Sequence, residues 1–214
     1  MFFERSCFAL NSFLHIAAAI VCCYLLGSVN IAILVSRALG RDIRECGSGN
    51  AGSTNMLRTF GWKVAIPVFI GDLIKGALAV ALGRLILSHG EVSALYGAYI
   101  GAVSAEIGHI YPVYFHFHGG KGVAISVGAI IALHPVGGPL LLLGGFGIAA
   151  LTGYVSAGSV LCAAAYPFLA FFLGGVRELV PALFMAAIVL CSHRENIKRL
   201  LEHRENKFVP PENK

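Results

Sequence analysis

One polar stretch of this 214-residue chain carries the residue types best suited to chemistry: Gly47-Ser48-Gly49-Asn50-Ala51-Gly52-Ser53-Thr54-Asn55-Met56-Leu57-Arg58. Its glycines let backbone N–H groups turn inward and approach a ligand closely. Successive inward N–H groups form a concave anion site. Serine, threonine and asparagine add neutral donors, and Arg58 adds a fixed fork of positive charge that suits phosphate. Because apolar runs flank the stretch, it predicts a phosphate site at the edge of a membrane.

The same stretch also matches the G-x-G-x-x-G pattern of dinucleotide-binding folds, through Gly47, Gly49 and Gly52. That pattern requires a preceding strand within a βαβ unit. Here a long apolar run that ends in arginines precedes it, and the candidate ribose-binding acid, Asp72, lies inside another apolar run. We therefore reject dinucleotide binding.

A second glycine-rich segment, Gly119-Gly120-Lys121-Gly122, brings a lysine to the end of a predicted span. It is not a P-loop, because the upstream glycine position is Phe115 and no hydroxyl follows the lysine. A lysine on such a turn still suits a point-charge contact to phosphate. Taken alone, the segment equally fits a flexible turn with an interfacial lysine.

A third polar cluster spans Ser192 to Leu200, where the last apolar run ends. On a helix His193 and Asn196 share one face, whereas Arg194 and Lys198 share another. A basic helix at the membrane surface explains the second face. It does not explain the alignment of His193 with Asn196, which fits a polar site.

The composition identifies an integral membrane protein. The chain is 57% hydrophobic and 13% charged, with a mean hydropathy of +0.78, whereas soluble domains carry about 25% charged residues. We expect neither a metal nor a disulfide, because the cysteines show no paired metal-ligand spacing and several lie in apolar runs. They are Cys7, Cys22, Cys23, Cys46, Cys162 and Cys191.

The apolar runs predict an all-α membrane protein with about seven transmembrane helices, in a single domain over residues 1–214. The predicted runs are Phe13–Ser36, Val64–Leu87, Ala94–Tyr111, Val123–Leu133, Leu140–Leu151, Ala157–Leu173 and Leu179–Ser192. The first is longer than a signal-peptide core and is expected to be retained. A turn at Ser88–Glu91 separates the second and third runs. The charged tail, about residues 193–214, is predicted to be helical until Phe208, where Pro210-Pro211 stops it.

The positive charges then set the predicted orientation. Seven crossings leave the two ends on opposite sides, and the positive-inside rule places the Lys- and Arg-rich segments in the cytoplasm. The N-terminus is then outside and the C-terminus cytoplasmic. The segment 37–63, the loop at Lys121, the break at Ser156 and the tail from His193 then share the cytoplasmic face. Their convergence is the strongest inference that the residues alone allow.

Asp72, Lys75 and Glu106 fall within predicted spans, where a charge costs roughly 2.5–3.5 kcal/mol on insertion scales and needs a partner. Asp72 and Lys75 are spaced to pair on one helix face. We interpret them as a structural pair that holds helices around the site, rather than as a proton path. The role of Glu106 is left open. His109 and Pro112 are expected to shape the end of the third span.

Together the three clusters resemble the bacterial acyl-phosphate:glycerol-3-phosphate acyltransferase family, PlsY. The resemblance runs from Tyr24-Leu25-Leu26-Gly27-Ser28 to the tail. Its motifs are the opening stretch, Gly119-Gly120-Lys121-Gly122 and His193-Arg194-Glu195-Asn196-Ile197. Supporting matches are Asp42-Ile43-Arg44, Asp72-Leu73-Ile74-Lys75-Gly76, Gly108-His109-Ile110-Tyr111-Pro112 and Tyr154-Val155-Ser156. The departures are Asn30, Ser53, His118 and Gly153, of which the last two remove positive charges that are frequent in the family.

The resemblance implies transfer of a fatty acyl group from acyl phosphate to glycerol 3-phosphate, giving lysophosphatidic acid and phosphate in phospholipid biosynthesis. It implies catalytic roles for Ser48, Arg58, Lys121 and His193. Ser48 and the backbone amides of its loop would hold the acyl phosphate, and Arg58, Lys121, His193 and two further side chains would orient glycerol 3-phosphate. The implied substrate-binding residues are Gly47, Gly49, Asn50, Gly52, Thr54, Asn55, Gly119, Gly120, Gly122, Ser156 and Asn196.

The resemblance also implies a multi-pass protein of the bacterial inner membrane with its site on the cytoplasmic face. No cofactor, metal or nucleic acid is expected. The expected partners are the two substrates, the lipid bilayer and the soluble enzyme that makes acyl phosphate. The alternative is a membrane transporter of phosphate or an organophosphate. Such a transporter should show internal repeats and helices broken at the membrane midplane, and the sequence indicates neither.

Overall fold

The computed structural model describes residues 2–88 and 93–208, with side chains from residue 11 onward. Most of the predicted turn Ser88–Glu91 and the predicted stop at Pro210-Pro211 lie outside these residues. Within them, two short 3-10 turns, Ile43–Glu45 and Val113–Phe115, accompany the α-helices. The α-helices are α1 (Phe2–Ser28), α2 (Ile31–Ala38), α3 (Ser53–Phe60), α4 (Trp62–Leu87), α5 (Ala94–Ile110), α6 (Val123–Leu133), α7 (Gly137–Thr152), α8 (Val155–Gly174), α9 (Val176–Ser192) and α10 (Arg194–Leu201).

The first predicted span is interrupted, which corrects the expectation of one continuous helix. Asn30 lies between α1 and α2 in an extended conformation (φ −90°, ψ 105°), and its side chain accepts a hydrogen bond from the backbone N–H of Ile33 at 3.0 Å. Asparagine is among the best N-cap residues because its side-chain oxygen satisfies such an N–H. After the break, α2 leads toward the first glycine-rich loop.

The predicted Asp72–Lys75 pair is confirmed, and it stabilises this break. Lys75 Nζ lies 3.2 Å from Asp72 Oδ1, and both side chains are buried. The same ammonium donates to the backbone carbonyls of Gly27 at 3.0 Å and Val29 at 2.7 Å. Those carbonyls lie at the end of α1, and unsatisfied carbonyls in a membrane cost several kcal/mol each. The ion pair therefore binds α4 to the break.

Helix α4 packs closely against α1, α5 and α6, and glycines make the crossings possible. A Cβ on Gly76 would lie 2.0 Å from the carbonyl oxygen of Ile125 in α6. A Cβ on Gly83 would lie 2.1 Å from the carbonyl oxygen of Gly97 in α5. Small residues allow this close approach between membrane helices. These contacts fix the loops that follow α5 and precede α6.

Among the described residues, three helical segments are long and apolar enough to span a membrane: Asn11–Ala38, Trp62–Leu87 and Val155–Gly174. Helices α9 and α10 together form a further candidate, bent by 64° at their junction. Helices α6 and α7 are shorter apolar helices. Large apolar side chains such as Phe172, 82% exposed, cover the outer surface, as expected where helices face lipid. The count of seven spans and the sides of the two ends stay predictions.

The tail departs from the predicted helix. Helix α10 ends at Leu201, not at Phe208, and residues 202–208 continue without helical structure. His203 has a positive φ of 54°, which turns the chain back toward the bundle. At the far end of this segment, the backbone N–H of Phe208 donates to the carbonyl of Gly153 at 2.7 Å. We call residues 202–208 the C-terminal strap.

Candidate active site

The first glycine-rich loop is organised by one buried amide, Asn55. Its Oδ1 accepts from the backbone N–H of Ser48 at 3.0 Å. Its Nδ2 donates to the carbonyls of Ile43, Cys46 and Asn50 at 2.9–3.1 Å. Gly47 has a φ of 55°, and a Cβ there would lie 2.3 Å from Asn55 Oδ1. The loop therefore needs glycine at position 47, and Asn55 acts in this structure as its internal support.

One carboxylate pairs with two arginines beside this loop. Asp42 accepts from Arg37 Nη2 at 3.1 Å and from Arg44 Nη2 at 2.7 Å. The hydrogen bonds from Arg44 hold the pKa of Asp42 well below its usual range, against the opposing effect of burial. Arg44 also donates to the carbonyl of Phe115 at 3.1 Å. These arginines therefore join the first loop to the segment before the second.

The second loop lies directly against the first. The N–H groups of Gly119 and Gly120 donate to the carbonyls of Ile110 and His109, both at 3.1 Å. A Cβ on Gly120 would lie 2.2 Å from His109 Nε2 and 2.8 Å from the carbonyl oxygen of Ala51. Residue 120 lies between the His109 ring and the first loop, and only glycine is small enough to fit there. Lys121 follows it and points toward the third cluster.

A network of side chains joins Lys121 to the third cluster. Lys121 Nζ donates to Asn196 Oδ1. Asn196 Nδ2 donates to Glu205 Oε1 at 2.7 Å, and Ser156 Oγ donates to the same oxygen at 2.8 Å. Arg199 Nε donates to Glu205 Oε2 at 2.6 Å. The Glu205 carboxylate of the strap therefore binds side chains of α8 and α10 directly, and Lys121 joins this network through Asn196.

Ser48 and Arg58 line one cavity of about 330 Å³ together with Gly47 and two strap residues, Asn206 and Lys207. Two predicted phosphate-binding side chains therefore share a space that a phosphate group would fit. Within the first loop, the N–H of Ser48 donates to Asn55 and that of Gly49 to the carbonyl of Cys46 at 2.9 Å. The donors that face the cavity are therefore side chains rather than these two amides.

The surroundings shift the pKa values of two predicted catalytic residues. Burial lowers the pKa of Lys121, the nearby charges of Arg199 and Arg58 lower it further, and Glu205 opposes them. This effect places Arg58 and Lys121 within electrostatic reach of each other. Burial also lowers the pKa of His193 to about 4, against a hydrogen bond with Val189. His193 is therefore neutral at neutral pH.

The His193 ring is oriented by backbone rather than by a carboxylate. Its Nδ1 lies 2.9 Å from the carbonyl oxygen of Val189. Since a carbonyl only accepts, Nδ1 carries the proton and Nε2 keeps a free lone pair. Glu195 is exposed and does not orient the ring. His193 can therefore accept a hydrogen bond through Nε2, but burial outweighs the groups that raise its pKa.

The predicted site residues fall into two groups. The first group has side chains at the site itself: Ser48 and Arg58 line the cavity, and Lys121, Ser156 and Asn196 belong to the network. Others serve the loops themselves: Gly52 precedes α3, Thr54 lies half-buried in its first turn, and Gly122 precedes α6 with a φ of 85°. Asn50 contributes its carbonyl to Asn55.

Comparison with known proteins decides the family. The sequence model of the family described as glycerol-3-phosphate acyltransferase matches residues 17–203. A curated glycerol-3-phosphate acyltransferase of Syntrophotalea carbinolica is 42% identical over 193 residues, which cover 86% of this chain and 93% of that protein. The chain belongs to this family.

Solved structures of PlsY support the same assignment. The crystal structure of PlsY, an integral membrane glycerol 3-phosphate acyltransferase, in its glycerol 3-phosphate form has a TM-score of 0.82 and 32% identity, covering 91% of this chain and 96% of that one. Its lysophosphatidic acid form has a TM-score of 0.80 and 31% identity, covering 91% and 95%. The predicted resemblance to PlsY and the all-helical membrane fold are confirmed.

Membership in the glycerol-3-phosphate acyltransferase family makes this chain a membrane enzyme, as predicted. The transporter alternative is not carried further, because the curated relatives are acyltransferases. Sequence reasoning missed Glu205, Asn206 and Lys207. If the charged tail continued as a helix, these side chains would lie in solvent. The available signal was the aromatic Phe208 after a charged run, which indicates a tail that returns to the membrane surface.

Proposed function

We propose that this acyltransferase takes its acyl group from an acyl phosphate and transfers it to glycerol 3-phosphate. The products are lysophosphatidic acid and phosphate, and the reaction belongs to phospholipid synthesis. An acyl phosphate is already activated. The enzyme therefore needs no covalent nucleophile of its own, and its main task is to position two phosphorylated substrates.

The observation that carries the proposal is the adjacency of two phosphate-binding arrangements. The Ser48–Arg58 cavity supplies a hydroxyl and a guanidinium. The neighbouring network supplies Lys121, Asn196 and the Ser156 hydroxyl. The strap supplies Glu205 to the network and Asn206 and Lys207 to the cavity, so the two arrangements are neighbours that could hold two substrates side by side. Holding two reactants in the correct geometry supplies a large part of the rate in such transfers.

The bond changes follow from that arrangement. The hydroxyl oxygen of glycerol 3-phosphate forms a bond to the acyl carbonyl carbon. The bond between that carbon and the phosphate oxygen breaks, and phosphate leaves. The hydroxyl proton leaves with the phosphate group, because His193 is held by a backbone carbonyl rather than by a carboxylate and burial lowers its pKa, which makes it a weak base. His193 then orients the hydroxyl through Nε2 rather than removing its proton.

Membrane placement follows the same logic. The enzyme lies in the bacterial inner membrane, with the substrate phosphates at the cytoplasmic face and the acyl chain along the apolar helices. The positive charges of the first loop, the second loop and the tail support this orientation. The soluble enzyme that makes acyl phosphate would deliver the donor at that face.

The deciding experiment is a donor assay. Purified protein in lipid receives glycerol 3-phosphate with either an acyl phosphate or the matching acyl thioester of coenzyme A. We expect lysophosphatidic acid only from the acyl phosphate, and a large loss of that product in R58M, which removes the guanidinium from the cavity. Product from the thioester alone, or from neither donor, would contradict the proposal.

A further inference from the structure

The C-terminal strap is held at both sides of its two cavity-lining residues. On one side Glu205 is held by Ser156, Asn196 and Arg199. On the other side the Phe208 backbone is bonded to Gly153, and the Phe208 ring contacts Trp62 edge-on, with centroids 6.1 Å apart. Asn206 and Lys207 lie between these anchors and line the cavity of Ser48 and Arg58. Their position is therefore set by the fold.

Lys207 approaches the cavity across Gly153. A Cβ on Gly153 would lie 3.6 Å from both Cγ and Cδ of Lys207, so the lysine stem covers the glycine. The ammonium lies 5.9 Å from the centroid of the Tyr154 ring. That ring supports the cation, and in the part of the chain that the structure describes no oxygen accepts a hydrogen bond from the ammonium. A phosphate group entering the cavity would supply such acceptors.

The charges around the cavity differ in what they are paired with. Arg37, Arg44 and Arg199 each form an ion pair with a carboxylate. Within residues 2–88 and 93–208, neither Arg58 nor Lys207 forms one. The cavity therefore brings together two cations that the described part of the protein does not neutralise. Two unneutralised cations and a serine hydroxyl form a donor set suited to a doubly charged phosphate.

We propose that Lys207 binds a substrate phosphate in the Ser48–Arg58 cavity and that the strap exists in part to bring this cation there. The inference deepens the proposed function and depends on it for the identity of the substrate. The ligand chemistry is a phosphate group, which both the acyl donor and glycerol 3-phosphate carry. An acyl phosphate would extend its chain from the cavity toward the apolar helices, and glycerol 3-phosphate would reach toward Lys121.

The first test measures binding without catalysis. Inorganic phosphate is titrated by calorimetry into the full-length protein in a phosphate-free maltoside detergent, which also excludes lipid headgroups as the ligand. We expect K207M to bind phosphate about 10-fold more weakly, the loss typical of one hydrogen bond to a charged group, and K207R to bind nearly as the wild type. K198M is the matched control, because Lys198 is an exposed lysine on α10 that does not line the cavity.

Unchanged phosphate affinity in K207M, or equal losses in K207M and K198M, would overturn the inference, as would a wild type that does not bind phosphate. Wild-type phosphate binding without any lysophosphatidic acid production would instead refute the proposed function and leave the phosphate site standing. In the donor assay, the KM of K207M should rise for the substrate whose phosphate Lys207 holds. A rise for acyl phosphate alone, or for glycerol 3-phosphate alone, identifies that substrate.

A second variant separates charge from folding. In the K207M background, G153R places a long cation in the space that the lysine stem occupies. We expect it to restore part of the phosphate affinity. Restoration is incomplete because Gly153 has a φ of 78°, which an L-residue adopts at a cost. A G153R/K207M protein that keeps the wild-type melting temperature but regains no affinity would contradict a role for positive charge at this place.

Discussion

Glu205 offers the sharpest test of how the strap supports the site. Its carboxylate is 7% exposed and accepts from Ser156, Asn196 and Arg199. The change E205Q keeps the size of the side chain but replaces one oxygen with an NH₂ group. That group cannot accept from Arg199, so a buried charge-assisted hydrogen bond is lost and two donors face each other.

The magnitude follows from the contacts. A hydrogen bond to a charged group contributes about 1.5–3 kcal/mol. The Arg199 side chain is 39% exposed, so water replaces part of what it loses. We therefore expect E205Q to lower the free energy of unfolding by about 2 kcal/mol. For a chain of this length that corresponds to roughly 4–8 °C in melting temperature.

The pH dependence of this effect has a defined sign. Burial raises the pKa of Glu205, but the hydrogen bonds from Asn196, Arg199 and Ser156 outweigh burial and leave the pKa below its ordinary value of 4.5. A depressed pKa means that the carboxylate stabilises the fold fully above 4.5 and loses that contribution as the pH falls through the folded-state pKa. The stability gap between wild type and E205Q should therefore narrow in acid.

The assay compares melting temperatures in one detergent at neutral pH and at several values below pH 4.5. E202Q is the matched control, because Glu202 forms an ion pair with the largely exposed Arg204. Such surface pairs contribute only about 0–1 kcal/mol. An E205Q protein that melts with the wild type at neutral pH, or a gap that stays constant in acid, would refute the reasoning.

Three further changes test the site. For H193Q we expect kcat at saturating acceptor to fall by less than about 10-fold, because His193 is proposed to orient the hydroxyl rather than to remove its proton. A general base contributes about 100-fold or more, so a larger loss at unchanged stability would make His193 the base. For K75M we expect the free energy of unfolding to fall by about 3–5 kcal/mol, since Asp72 is left buried without its partner. Thermal unfolding should show that D72N/K75M recovers part of this stability. For G120A we expect loss of activity from the 2.2 Å clash with His109, whereas G147A, which faces open space, should keep wild-type turnover.

The sequence predicted the features that local pattern determines. Glycine and polar residues between apolar runs indicated loops at the membrane edge, and the three-residue spacing of Asp72 and Lys75 indicated their pairing. The break at Asn30 was missed because the apolar pattern continues on both sides of it. A distant residue stabilises the break: the ammonium of Lys75 donates to the carbonyls of Gly27 and Val29, on either side of the end of α1.

The strap was missed for a similar reason. Glu205 is held by Asn196, which lies 9 residues away, and by Ser156, which lies 49 residues away. The sequence pattern of residues 202–208 has no periodicity that would indicate those contacts. Local sequence favoured a continued helix, and tertiary hydrogen bonds override such propensity. His193 and Asn196 are both buried, but His193 lies at the bend between α9 and α10, so their alignment as neighbours on one helix stays a prediction.

The distribution of charge supports the proposal that the site binds two phosphorylated substrates. In the described part of the chain, Asp42 pairs with both Arg37 and Arg44, and Glu205 pairs with Arg199. These carboxylates therefore serve the cations that build the loops. Within residues 2–88 and 93–208, none of Arg58, Lys121 and Lys207 forms an ion pair with a carboxylate. Arg58 and Lys207 line the cavity, and Lys121 donates to Asn196 in the neighbouring network. We expect these three cations to be the ones that bind substrate. Two doubly charged phosphates would then supply the negative charge that this space otherwise lacks.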